Sequence, residues 1–401
     1  MNIKMRNIGI IAAGLFCSSL SLASDNIRTA AFITAGGTFT DSAIPFEGAA
    51  KDINFNQLSR IGIQYSYTPK HDIPVTFTGQ LLARGYDDWA VTSEWALISY
   101  RPSSSWLINA GKIRTSLFMY SQFHDIGVTY PWTTPPEEVY GIFNIPFTSM
   151  GGLEVINTQL LGDWALQTRL QTGSSNINIP AMGLEVPVQV HSLHVIQFNL
   201  SSDDLTFNFS FSDIDWQAQE LSALGGDPRV QGAFAELAES TDPVVIADLA
   251  SRAGIANTTN GRTEFYELGI KYDSNVLFIA EVTKRRVSNT TFPTVNAGYL
   301  TTGYHFNKYT PFITYARSDT SNSIIQQEQA SVALGLNIAT SASSLLKFEF
   351  KNTQIDDGSV ALLPGIDVNN IGLYDELPVL FGGNTIEDSV NKVSITFSTV
   401  L

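Results

Sequence analysis

Apolar and polar residues alternate along much of this chain in runs of about eight to ten. Ile61, Ile63, Tyr65 and Tyr67 oppose Arg60, Gly62, Gln64 and Ser66. Leu205, Phe207, Phe209 and Phe211 oppose Thr206, Asn208, Ser210 and Ser212, and Tyr266, Leu268, Ile270 and Tyr272 oppose Glu267, Gly269 and Lys271. The same rhythm returns in Gln329–Ile338 and Leu346–Lys351. A period of two puts each set on one face of a β-strand. That pattern also suits a soluble sandwich with its apolar face inward. Two features favour a lipid-facing surface instead. The polar faces of these runs carry small and charged side chains, as a water-filled lumen requires. The apolar faces often place Tyr or Phe near a strand end, where an aromatic girdle sits.

The gaps carry a second rhythm. Tight connections fall near 69–72, 101–105, 161–163, 201–204, 273–275, 307–309 and 339–343. Between them lie connections near 40–56, 85–88, 115–150, 174–187, 214–261, 288–293, 318–325 and 353–388, most of them long. Tight turns on one side and long loops on the other are the mark of a transmembrane β-barrel. The expected fold is therefore all-β: an antiparallel barrel of about sixteen strands, with both chain ends on the tight-turn side. In the longest gap, Asp227-Pro228 and Asp242-Pro243 each open a run with helix-start punctuation, and Gly254 closes the second.

The first residues read as an export signal. Lys4 and Arg6 precede an apolar run from Ile8 to about Leu22, followed by Ser21-Leu22-Ala23. Cleavage after Ala23 leaves residues 24–401 as the barrel domain and removes Cys17, the single cysteine. With Lys4 and Arg6 gone from 23 basic residues, 21 remain against 38 acidic ones. That balance argues against nucleic acid as a partner and fits outer loops that meet cations.

The gap at 115–150 is too apolar for a solvated loop. It begins after Ala110-Gly111-Lys112-Ile113-Arg114 and carries Leu117, Phe118, Met119, Tyr120, Phe123, Ile126, Tyr130, Trp132, Val139, Tyr140, Ile142 and Phe143. Those side chains need a wall to pack on, and the barrel interior offers one. Pro131, Pro135 and Pro136 stiffen its path.

With this segment the chain resembles a Gram-negative outer-membrane porin of the trimeric general-porin type, in a gammaproteobacterial porin-like group. The resemblance implies a passive pore in the outer membrane for small hydrophilic solutes and ions, a homotrimer in contact with outer-membrane lipid, and no cofactor. It also implies that the loop after the fifth strand folds inward and narrows the pore, with acidic loop residues set against basic wall residues across water. The acidic candidates are Asp125, Glu137 and Glu138. The basic candidates are Arg60, Arg84 and Lys112, with Arg114 and Arg169 behind them. Arg60, Arg84 and Arg169 fall on the lumen face by parity; Lys112 shares its parity with Trp106 and Ile108, so its side is open. Glu267, Lys271, Glu281, Arg285, Lys347, Glu349 and Lys351 are further lumen charges of mixed sign, and a weak cation preference is expected. Leu401 stands where such barrels usually end in an aromatic residue.

No enzyme constellation is legible. The five histidines are scattered, and His191 and His194, three apart on one strand, should point to opposite faces. Two other readings stay open: a substrate-specific channel with a saturable site, and a surface-binding barrel that acts through its long loops as an adhesin or receptor.

Overall fold

The computed structural model describes residues 26–42, 46–49, 51–70, 74–141, 148–181, 184–218, 260–288, 294–321, 328–355 and 389–401. The export signal and the helix-start motifs of 227–254 lie outside these residues. The strands in chain order are β1 (Ile27–Thr40), β2 (Arg60–Tyr67), β3 (Val75–Arg84), β4 (Val91–Ser103), β5 (Trp106–Arg114), β6 (Ser149–Leu161), β7 (Trp164–Ala181) and β8 (Leu184–Ser201). They continue as β9 (Leu205–Ala218), β10 (Asn260–Asp273), β11 (Val276–Ser288), β12 (Thr294–Tyr304), β13 (Tyr309–Ser321), β14 (Gln329–Ser341), β15 (Ser344–Ile355) and β16 (Ser389–Val400). Each pairs antiparallel with its chain neighbours, and β1 pairs with β16 to close the barrel. Closure leaves no edge with unpaired backbone groups, which is what a lipid environment demands. It reaches the chain end: Leu401 N–H donates to Ala31 O at 2.8 Å.

The parity read from the sequence sets the two faces. Ile61, Ile63, Tyr65, Phe207, Phe209, Leu268, Val332, Leu334, Phe348 and Phe350 are all exposed on the outside. On β10, Tyr266 and Tyr272 bracket Leu268 and Ile270, an aromatic residue at each end of the apolar stretch. Inside, two rings lie over glycines. A side chain at Gly62 would meet the Phe32 ring at 2.2 Å, and one at Gly335 the Phe312 ring at 2.0 Å.

Three expectations are corrected. The gap placed at 174–187 is a pair of strands: β7 and β8 run 18 residues each and leave two residues between them. A membrane strand needs only about ten, so this hairpin extends past the apolar belt. Gly173-Ser174-Ser175 looks like turn chemistry but forms a register shift between Gly173 and Ser175. Alternating Asn176, Ile177, Asn178 and Ile179, against Val186, Val188 and Val190, carry the pairing on.

His191 and His194 share the outer face. A register shift between Val190 and Ser192 inserts one residue and cancels the odd spacing. His194 reaches Thr172 and His191 reaches Gln217, both exposed.

The third correction concerns the lumen wall, which is not polar throughout. Val190, Leu193 and Val195 on β8, Ile214 on β9, Phe265 on β10, Ile279 on β11, Tyr299 on β12 and Phe312 on β13 face inward as one buried apolar cluster. Strands with apolar residues on both faces, such as Val276–Val282, gave no clean alternation to read.

An arginine at Leu268 tests the outer face. It should cost about 2–4 kcal/mol, the known penalty for a cation on the lipid side of a barrel. Arginine at Ser66, inward and half-buried, should cost under about 1 kcal/mol. Reversible unfolding in denaturant from vesicles gives both values.

Candidate functional site

After Arg114 the chain turns into the barrel and returns to the wall at Ser149. The segment has little regular structure: two short 3-10 turns, Ser121–Phe123 and Gly127–Thr129, and one helical turn, α1 (Glu137–Tyr140). Ile142 and Phe143 lie outside the described residues. What fixes the rest is packing. Leu117, Phe118, Tyr120, Tyr130, Trp132, Val139 and Tyr140 are buried and join the apolar wall of β8–β13 in one cluster. The Trp132 ring meets Tyr299 edge-on at 5.1 Å, and its Nε1–H donates to Thr314 Oγ1 at 2.8 Å. Phe118 packs edge-on against Phe265 at 5.8 Å. The indole thus buries its ring and satisfies its one donor.

Polar anchors hold the segment on the other sides. Gln171 on β7 accepts from Ser116 N–H at 3.0 Å. Ser210 on β9 donates to Leu117 O. Glu281 on β11 accepts from Met119 N–H at 3.1 Å, Tyr140 O–H at 2.6 Å and Tyr299 O–H at 2.8 Å. Glu349 on β15 accepts from Thr133 O–H at 2.8 Å. Gly127 sits where a side chain would meet Ser398 of β16 and Thr34 of β1. The loop therefore touches the wall on opposite sides of the barrel. Lys347 on β15 is its strongest single anchor. Its buried ammonium donates to the backbone carbonyls of Gly127, Tyr130 at 2.7 Å and Trp132 at 2.6 Å, and lies 4.5 Å from the Tyr130 ring centre.

Asp125 is the electrostatic centre. Arg84 grips it as a fork, Nε to Oδ1 at 2.9 Å and Nη2 to Oδ2 at 2.8 Å. Arg114 pairs with Oδ2, and Arg60 Nη1 stands 3.8 Å from Oδ1. Glu94 balances the arginines at 2.9 Å from Arg84 and 3.5 Å from Arg114. Arg60 also donates to Tyr130 Oη at 3.0 Å. Burial alone would raise the Asp125 carboxyl, but Arg114, Arg84 and Arg60 hold it well below the usual carboxylate range.

A second cluster lies at α1. Glu138 is buried, 3.3 Å from Lys351, and accepts from Gln329 at 3.1 Å. Glu47, from the connection between β1 and β2, pairs with Lys351 at 2.6 Å and with Lys392. Burial raises the Glu47 carboxyl, but the two lysines bring it down to about 2. Glu137 moves the other way: burial and the Glu47 charge push it up to about 7, against Lys392 and Lys351.

The structure thus brings Asp125 together with Arg60, Arg84 and Arg114, in contact and not across water. Arg169 lies apart, 3.2 Å from Glu154, and donates to Ser116 Oγ at 3.1 Å. Lys112 shares the face of Trp106 and Ile108, opposite Asn109, which donates to the inward Glu154; it does not face the lumen site. Glu94, Glu47 and Lys392 were not singled out as site residues. Lys392 was findable by parity with Ser394 and Thr396. Glu94 was hidden by a register shift between β3 and β4. Among the described residues no group of three or more His, Cys, Asp or Glu is placed to hold a metal.

Two outcomes follow. Lys347→Met leaves three buried carbonyls without their donor, at a cost on the order of 3 kcal/mol. Limited proteolysis of the folded protein should then cut within 115–141 while the barrel stays intact. Glu137 makes docking pH-dependent. Its carboxyl titrates near 4.5 when free and near 7 when docked, so docking is favoured at low pH and weakens as pH rises through that window. Cleavage of the loop should be faster at pH 8 than at pH 5, and Glu137→Gln should flatten the difference.

No protein-family model matches this chain, and no curated protein sequence does. Solved structures do. An anion-selective porin from Comamonas acidovorans superposes with a TM-score of 0.57 at 10% identity, over 94% of this chain and 99% of that one. The outer-membrane channel DcaP of Acinetobacter baumannii gives 0.55 at 8% identity, over 94% and 97%. A trimer form of OmpT, an outer-membrane protein of Vibrio cholerae, gives 0.51 at 11% identity, over 94% and 99%. At these identities the likeness is one of architecture, and the architecture of this chain is the sixteen-strand barrel of the outer-membrane porins.

Proposed function

We propose that this protein is an outer-membrane channel for small hydrophilic solutes and ions, in which the inward loop 115–141 decides what passes. The observation that carries the reading is the closed sixteen-strand barrel with that loop lodged inside it. A surface decoration would have no use for an apolar inner wall of six strands, β8–β13, packed on one loop, and a rigid β-scaffold fixes such a filter. In this reading the export signal delivers residues 24–401 to the outer membrane of a Gram-negative bacterium. The lipid meets the exposed apolar face. The barrels associate as homotrimers, as the trimer form of the Vibrio cholerae protein does.

Size and charge filtering both belong to the loop. Because Asp125 and Glu138 are paired at contact distance, they do not set a strong field across open water. The two clusters offset one another, since three arginines face Asp125 and Glu94 while Glu47, Glu137 and Glu138 face Lys351 and Lys392. The weak cation preference expected from the acidic loops therefore stands as the reading.

The same fit supports a second reading, a channel selective for one class of solute. A loop that touches opposite walls leaves less free cross-section than a loop lying along one side.

Liposome swelling tests the pore. Vesicles containing the protein should swell in small sugars at rates that fall with solute size. An absence of solute flux under any condition would remove the channel reading and leave the surface-binding barrel. A swelling rate that saturates for one solute class favours the selective channel.

A further inference from the structure

On the periplasmic side of the charged row, the wall of β2–β4 changes character. No residue of 62–66, 76–82 or 95–99 carries a charge. The inward side chains are amides, hydroxyls and one indole. Gln80 donates to Gln64 at 3.3 Å, and Ser66 bonds Thr78 at 3.1 Å. Trp95 stands among them because β4 bulges. Leu81 pairs with Ser93 and Gln80 with Trp95, so Glu94 is the extra residue. Glu94 and Trp95 are consecutive, yet both point inward: Glu94 to Arg84, and Trp95 on the face of its direct partner Gln80.

Two polar atoms at this place have no partner. One is the Nε1–H donor of Trp95 and the other is the Oε1 acceptor of Gln80. Gln80 is only 4% exposed, and both atoms are shielded from bulk water, so solvent meets neither deficit. A buried donor and a buried acceptor left open on directly paired residues are costly, and side chains so paired stand about 5 Å apart at Cβ. One hydroxyl group satisfies both, since the same oxygen donates one bond and accepts another. An amide would need two separate atoms, and an ion would find no countercharge. The indole itself is half-buried and adds an aromatic surface, which suits the C–H face of a ring rather than a charged group.

We propose that Trp95 and Gln80, with Gln64 beside them, form a lumen subsite for neutral cyclic polyhydroxylated solutes such as monosaccharides. One solute hydroxyl bridges Trp95 Nε1 and Gln80 Oε1, and the indole tilts to admit it and lies against the sugar ring. This rests on the channel reading and names the solute class of that channel. The rigid strands β3 and β4 hold both bridging groups, so the inward loop narrows the path and the wall recognises what passes.

The test uses the full-length barrel in vesicles. Initial flux of labelled glucose is measured against concentration and normalised to N-acetylglycinamide, a neutral amide, through the same vesicles. In the wild type, glucose flux should saturate and amide flux should rise linearly. Trp95→Phe keeps a ring but removes the N–H, and Gln80→Leu keeps the bulk but removes the amide. Each should raise the half-saturating glucose concentration about tenfold. Because one hydroxyl serves both atoms, the double variant should be within twofold of either single one. Trp95→Ala, which also removes the aromatic surface, should abolish saturation. Linear glucose flux in the wild type, or saturation that no variant changes, overturns the subsite while the pore stands. Losses that multiply in the double variant overturn the shared hydroxyl. If neither solute passes in any folded variant, with folding checked by heat-modifiable gel mobility, the channel reading falls and the subsite with it.

Discussion

The structure depends on one act of burial. A segment between β5 and β6 carries Leu117, Phe118, Tyr120, Trp132, Val139 and Tyr140, which cannot rest in water. A barrel normally offers its apolar face only to lipid. Here β8–β13 turn a second apolar face inward, and the loop covers it. Neither surface is stable alone: an apolar lumen wall without the loop would meet water, and the loop outside the barrel would expose its aromatic residues. The inner wall and the loop form one core, enclosed by the closed sheet.

Charge finishes what burial begins. Taking Asp125, Glu138 and Glu47 from water requires partners, and the wall supplies Arg84, Arg114, Lys351 and Lys392 at contact distance. Lys347 solves the inverse problem by giving its ammonium to backbone carbonyls that no strand partner reaches. The register of the barrel sets where these side chains stand. A loop lodged this way is held by several anchors on several strands. The Asp125 stretch has polar anchors only, whereas the Trp132 region has both polar and apolar ones.

Much of this was legible in the chain. Clean alternation marks one polar and one apolar face, and Arg60–Tyr67 or Leu205–Phe211 could be read directly. The excess of apolar residues in 115–140 pointed inward because no aqueous loop could carry them. What escaped has physical causes. Parity counting fails at a bulge, which is why Glu94 and the His191–His194 pair were misplaced or missed. Periodicity is also silent where both faces are apolar, so the inner wall at Ile279 and Phe312 looked like poor strands. The acidic and basic residues of the loop site could be nominated singly. Their pairing could not, since contact distance depends on a loop path that no local rule dictates. Lys112 shows the same limit from the other side: one residue of register decides whether a cation meets the lumen or the membrane interface.

The central claim is that residues 115–141 lie inside the barrel against the far wall, and a cross-link reads it directly. Gly127 and Ser398 are 271 positions apart, yet a Cβ at Gly127 would lie 3.0 Å from the Cβ of Ser398, so the loop need retreat by only about 0.5–1 Å to reach the spacing of a disulfide. In a variant with Gly127→Cys and Ser398→Cys, mild oxidation of the folded protein in vesicles should give an intramolecular disulfide in most molecules, seen by mass after proteolysis. Two free thiols in a folded, oxidised barrel would contradict the account, because the loop would then not be where its apolar side chains require it to be.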